Sequence, residues 1–88
     1  MPAHELHVAA SAERSLARLP EAAATAMVEF MTGPLLEDPA RVGKPLMLEL
    51  EGYLVARRGA YRIVYRIEDA RIVRVVRIDH RADVYRAR

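Results

Sequence analysis

The sequence predicts an α+β fold in which two N-terminal helices pack on one face of a mostly antiparallel four-stranded sheet, and three observations predict it. Apolar residues between Leu16 and Met31 recur at the spacing of a helical face. After Pro45 the period changes to that of strands, in β-rich runs over 53–58, 61–68 and 71–80. Gly59-Ala60 and Asp69-Ala70 separate those runs, spacings short enough for two successive hairpins, so the runs form a meander with one apolar face for the helices to cover.

The elements follow in order. Leu6 and Val8 alternate with His7 and Ala9, the period of a half-buried first strand. Ser11, with Glu13 behind it, is placed to cap a short helix that carries Leu16 and Leu19 inward, and Pro20 ends that helix and starts the next. In the main helix Ala23, Ala26, Met27, Phe30 and Met31 share a face, while Thr25 and Glu29 lie off it. Gly33-Pro34 ends it near residue 32, because proline lacks the donor and crowds the turn before it; Leu35 and Leu36 add a helical turn beyond. Residues 37–44, with Asp38, Pro39 and Gly43, read as a surface connection. In the middle run Tyr61, Ile63, Tyr65 and Ile67 share one face, and Arg62, Val64, Arg66 and Glu68 the other. In the last run Ile72, Val76 and Ile78 are assigned to one face, interrupted by Arg74, with Val73, Val75, Arg77, Asp79 and Arg81 opposite.

A chain of 88 residues supports one core, so residues 1–88 are read as a single domain. Cysteine is absent, which removes disulfides and thiolate metal sites as sources of stability. No apolar run approaches the roughly 20 residues that span a bilayer, and the N-terminus lacks the basic-then-apolar layout of a signal peptide; the expectation is a cytoplasmic protein with no membrane partner.

Net charge is only +2, but it is unevenly placed. Residues 1–51 set four cations against eight carboxylates, a balance of −4, whereas residues 52–88 set ten cations against four, a balance of +6. All ten of those cations are arginine. Guanidinium grips phosphate with a planar fork, stacks on bases and stays charged, so the second half reads as an arginine-bearing sheet for a polyanion, RNA first among candidates. The plain alternative is an arginine-rich codon bias.

No Gly-rich phosphate loop, Cys/His metal spacing, H-E-x-x-H or G-x-S-x-G occurs, which argues against nucleotide-hydrolysing and zinc-dependent enzymes; no metal or cofactor is expected. His4 and His7 sit at the edge of the first strand. His80, beside Arg81 and near Tyr85, is a candidate substrate-binding or proton-transfer group, the alternative being a solvated strand-end histidine.

Gly59-Ala60-Tyr61-Arg62-Ile63-Val64-Tyr65-Arg66 and Asp79-His80-Arg81-Ala82-Asp83-Val84-Tyr85-Arg86 carry a resemblance. With Leu16–Pro20, Gly43-Lys44-Pro45-Leu46, Leu50-Glu51-Gly52 and Ala56-Arg57-Arg58 in the same order, the chain resembles the RelE/ParE toxin superfamily of bacterial type II toxin–antitoxin systems over nearly its whole length. The final Arg81…Tyr85 pair is closer to the RelE branch. That resemblance implies a RelE-like fold and a metal-independent endoribonuclease that cuts mRNA in the ribosomal A site, the ribose 2′-OH attacking the adjacent phosphate. Arg62 and Arg81 match the family's phosphate-binding, transition-state-stabilising arginines, and Tyr85 its C-terminal tyrosine. Arg58 is expected to add substrate binding from the preceding strand, with Arg57 pointing to the opposite face.

There are departures from the pattern. Two lysines that some RelE-type enzymes carry match Leu54 and Ala56; Glu49 and Glu51 are the nearest candidates for the glutamate base of other branches. Met47 stands where a basic residue is at home, and Ala60 where aspartate suits the turn. Three readings follow: a RelE-like mRNA interferase, a ParE-like inhibitor of DNA gyrase that cuts nothing itself, and a binding module acting mainly within a complex. In each the expected partner is a RelB-like antitoxin, with operator DNA engaged only through that complex, and mRNA and the ribosome are the targets of the first.

Overall fold

A computed structural model describes residues 4–45, 52–69 and 71–80 of the chain. The described elements are β1 (Glu5–Val8), α1 (Ala10–Ala17), α2 (Glu21–Thr32), α3 (Pro34–Glu37), α4 (Pro39–Val42), β2 (Lys44–Pro45), β3 (Leu54–Arg58), β4 (Tyr61–Glu68) and β5 (Ile72–His80). The sheet has five strands in the order β1-β5-β4-β3-β2, one more than the four expected, because Lys44 and Pro45 pair with Val55 and Leu54. Among the described strands the β1–β5 pair is parallel and the other pairs are antiparallel. None of the described helices is long and apolar enough to cross a membrane.

The helices cover one side of the sheet. Met27, Phe30 and Met31 of α2 and Leu35 and Leu36 of α3 join Ala56, Ile63, Tyr65, Val73, Val75 and Ile78 in one buried cluster, with Leu16 and Leu19 packed against it as their spacing predicts. Ala12 is fully buried at the contact between α1 and the sheet, where a larger side chain has no room. α2 stops at Thr32, before Gly33-Pro34, as expected, and Pro34 opens α3 at a position where its missing donor costs nothing.

Three local expectations are corrected. Ser11 does not cap α1: the helix starts at Ala10 with Ala9 before it and no side-chain cap. The Ser11 hydroxyl instead donates to the Val76 carbonyl at 2.9 Å, satisfying an acceptor on the edge of β5 beyond the point where β1 ends. The connection over 37–44 is not all loop, since Pro39–Val42 forms a helical turn with Pro39 buried. Finally, Glu68 pairs with Ile72, so three residues rather than two join β4 to β5, and Asp69 takes the left-handed turn at φ 54°, a conformation aspartate tolerates better than most residues.

The facing of β5 also differs. Val64 pairs with Arg77 but Tyr65 with Val75, so Val76 is the extra residue of a β-bulge. The bulge shifts the alternation by one. Val73 and Val75 therefore share the helix-covered face with Ile78, while Ile72, Arg74, Arg77 and Asp79 take the other.

One buried polar tie fixes the segment that leads into the sheet. The Tyr65 hydroxyl, fully buried, donates to the Pro39 carbonyl at 2.6 Å. Burial pushes its pKa up to about 12, so it stays a protonated donor. Gly43 passes directly against that hydroxyl.

Candidate nucleic-acid interface

The β3–β4 hairpin decides which arginines share a face. Its loop is the two residues Gly59-Ala60, with the positive φ of 62° on Gly59, so Arg58 pairs with Tyr61 and Arg57 with Arg62. Directly paired residues point to the same side of a sheet. Tyr61 lies on the helix side with Ile63 and Tyr65, which puts Arg58 there too and leaves Arg57 beside Arg62 on the side the helices leave open.

Most other arginines of that open side are paired with carboxylates. Arg66 and Arg74 converge on Glu68, through Nη2 at 2.6 Å and Nε at 2.9 Å respectively. Arg66 also lies over the Tyr53 ring, 5.4 Å from its centre, and donates to the Tyr53 hydroxyl at 3.2 Å. Arg77 donates from Nε to Asp79 at 2.9 Å. Arg57, exposed, makes no ion pair among the described residues, and neither does Lys44 at the end of the same sheet. Among the described residues of the open face, the cations in no ion pair, Arg57 and Lys44, thus lie at the β2–β3 end, next to the half-buried Arg62.

The Arg74 hydrogen bond, aided by Arg66, holds the Glu68 carboxyl below its ordinary range, and Glu68 in turn raises Arg74. Because the folded-state value is depressed, this contribution to stability is present above the ordinary 4.5 and is lost as pH falls through the folded value. Glu68→Gln is expected to flatten the acid limb of a urea-midpoint profile taken between about pH 7 and pH 3. An unchanged acid limb would remove Glu68 from the account of acid stability.

The residues singled out from the sequence divide between the two sides. Arg62 sits on the open face, paired across to Asp79 of β5 as well as to Arg57. Arg58 does not join it: its guanidinium lies over the Phe30 ring at 5.7 Å from the centroid. The expected facing of Arg57 and Arg58 is thus reversed, and the reason is the hairpin register. His80 is also on the helix side, edge-on to Tyr61 with ring centroids 5.2 Å apart, in a cleft of about 350 Å³ shared with Ser15, Arg18 and Leu19. Leu54 and Ala56, matched to the two lysines of some relatives, both face the core, so a lysine at either would be buried; the open-face positions of β3 are Val55 and Arg57. His4 donates from Nδ1 to the Leu36 carbonyl at 3.0 Å, a structural tie between the residue preceding β1 and α3. Arg81, Tyr85, Met47, Glu49 and Glu51 lie outside the described residues.

Beside Arg57 the sheet ends in a cleft of about 470 Å³ lined by Val42, Lys44, Pro45, Val55 and Arg57. Neither Arg57 nor Lys44 stood out in the sequence. The two-residue hairpin loop contained the signal for Arg57, since it fixes the pairing with Arg62; Lys44 was marked only as part of the Gly43-Lys44-Pro45-Leu46 motif, with no role attached.

The family model for the ParE toxin of the type II toxin–antitoxin system parDE matches residues 6–85. The chain is 52% identical over 86 residues to Toxin RelE of Mycobacterium tuberculosis, covering 94% of this chain and 89% of that protein. It is also 52% identical over 77 residues to Toxin RelG of the same organism, covering 86% and 88%. The fold superposes on a chain of the RelBE2 toxin–antitoxin complex from Mycobacterium tuberculosis with a TM-score of 0.85 at 46% identity, over 94% of this chain and 97% of that one. An archaeal RelE–RelB complex from Pyrococcus horikoshii shares the fold at a TM-score of 0.71 and 19% identity, over 90% and 96%. With the family model matching residues 6–85, and identity and fold agreeing over most of both chains' lengths, the chain belongs to the ParE toxin family of type II toxin–antitoxin systems and is of the RelE kind.

Proposed function

We propose that the chain is a ribosome-dependent mRNA endonuclease that inhibits translation in the cytoplasm, as a single toxin domain held inactive by a RelB-like antitoxin. The observation that carries the reading is Arg62 with Arg57 beside it on the sheet face left open by the helices. In the reaction the ribose 2′-oxygen forms a bond to the neighbouring phosphorus as its proton is withdrawn. The bond to the 5′-oxygen breaks and that oxygen takes up a proton, leaving a 2′,3′-cyclic phosphate and a 5′-hydroxyl. Negative charge grows on the non-bridging oxygens in the transition state, where fixed guanidinium groups stabilise it more than they stabilise the ground state. Arg62 and, by the resemblance, Arg81 take that role without a metal, and Tyr85 stacks on the base or relays a proton. Operator DNA is reached only through the antitoxin complex.

The matching ParE family model favours one competing reading, a gyrase inhibitor that cuts no nucleic acid. Purified protein added to programmed ribosomes is expected to cut mRNA in the A site with 2′,3′-cyclic phosphate ends, and to leave gyrase supercoiling unaffected. Intact mRNA together with blocked supercoiling would reverse the assignment.

A further inference from the structure

The cleft at the β2–β3 end of the open face combines features that a single nucleotide requires. Val42, Pro45 and Val55 give it apolar walls, and Lys44 and Arg57 give it two cations. Val42 is 38% exposed, one of two large apolar side chains left exposed among the described residues, and it lines this cleft rather than joining the core. The carboxylates described on the open face, Glu68 and Asp79, serve Arg66, Arg74 and Arg77, while Lys44 and Arg57 are in no ion pair among the described residues. Arg57 also links the cleft to Arg62, one strand away, at a strand spacing of about 5 Å. A volume of about 470 Å³ falls in the range of small-ligand sites.

We propose that this cleft is a subsite for the nucleotide adjoining the scissile phosphate: its base packs between Val42, Pro45 and Val55, and Lys44 and Arg57 hold its phosphate. The inference rests on the endonuclease reading and adds to it the path of the RNA strand, from Arg62 across β3 towards β2. Lys44 and Arg57 act in binding and positioning rather than in bond cleavage. Apolar walls discriminate bases only weakly, so the subsite contributes register more than sequence choice.

Lys44→Ala and Arg57→Ala test it, since both side chains are exposed and neither supports the core; thermal melts confirm that the variants are folded. Two readouts are taken: cleavage of mRNA on programmed ribosomes, resolved into kcat and KM, and binding of a fluorescent single-stranded RNA pentamer across a salt series. Each substitution is expected to raise KM roughly tenfold with little change in kcat, and to reduce the slope of log K against log salt by about 0.7. Wild-type protein that cuts RNA, with variants matching it in KM and in salt slope, overturns the subsite and leaves the endonuclease reading standing. Wild-type protein that cuts nothing but binds the pentamer through Lys44 and Arg57 overturns the endonuclease and with it the place beside a scissile phosphate, leaving the cleft a nucleotide-binding site only. Protein that neither cuts nor binds overturns both. A loss confined to kcat, or variants that loosen only the antitoxin complex, also rules the nucleotide subsite out.

Discussion

Arg62→Ala is expected to slow mRNA cleavage by about two to three orders of magnitude, the scale seen when one preorganised donor to a developing oxyanion is removed. The side chain stands on the open face between Arg57 and Asp79 and is half-buried, so its charge acts in a less water-like setting than that of Arg57. Arg62→Lys keeps the charge but loses the planar fork, and should fall between wild type and alanine. Arg71, exposed in the β4–β5 connection, is the control: Arg71→Ala should leave both rate and melting temperature within error. The measurement is single-turnover cleavage on programmed ribosomes beside a thermal melt. Equal rates for wild type and Arg62→Ala, with both proteins folded, would dismiss the open face as the catalytic one.

Gly43→Ala should destabilise the fold by about 2 to 4 kcal/mol, combining the cost of overpacking with the loss of a buried hydrogen bond. Gly43 has φ −113° and ψ 176°, extended backbone open to any residue, so glycine is needed there for space and not for conformation. An added Cβ would overlap the Tyr65 hydroxyl, lie 3.0 Å from its ring Cζ and sit 3.1 Å from the Val55 carbonyl oxygen. Tyr65 is fully buried and tied to Pro39, so it cannot swing away. Tyr65→Phe alone leaves the Pro39 carbonyl unsatisfied and should cost about 1 to 2 kcal/mol. Combining the two substitutions relieves the overlap with the hydroxyl, so the double variant should be more stable than the two losses added together predict, by about 1 kcal/mol. Urea denaturation of the four proteins measures this, and strict additivity would show that the hydroxyl is not what Gly43 avoids. The raised tyrosine pKa supplies an independent readout. Stability owed to the protonated hydroxyl is complete below the ordinary 10 and is lost as pH rises towards about 12, a step that Tyr65→Phe should lack.

Much of this architecture was legible because period and punctuation agreed. The alternation in Tyr61–Glu68 gives β4 its bounds, and Gly33-Pro34 stops α2 where proline chemistry says it must. β5 was misread in facing for a specific reason. Ile72, Val73, Val75 and Val76 are all apolar and β-branched, so both parities of that run look buried and no glycine marks the bulge. β2 escaped notice because two residues carry no period. In the site, Arg62 stood out through its Tyr-Arg-Ile-Val-Tyr setting. Arg57 and Arg58 were assigned by strand position, when the two-residue loop determines their facing by direct pairing with Arg62 and Tyr61. The cleft that Lys44 lines is built from two separated segments, 42–45 and 55–57, and such a juxtaposition has no linear signature.

The parallel β1–β5 pair also imposes an order in time. β5 lies between β1 and β4, so the first of the described strands finds its partner only when the last of them has emerged. Until then β1 has no edge to join, α1 has no β5 to cover, and Val73 and Val75 are missing from the core. Contacts this distant along the chain form slowly and close the sheet last. A ribosome making this chain therefore carries an unfinished sheet from the emergence of β1 until the β5 segment has left the tunnel.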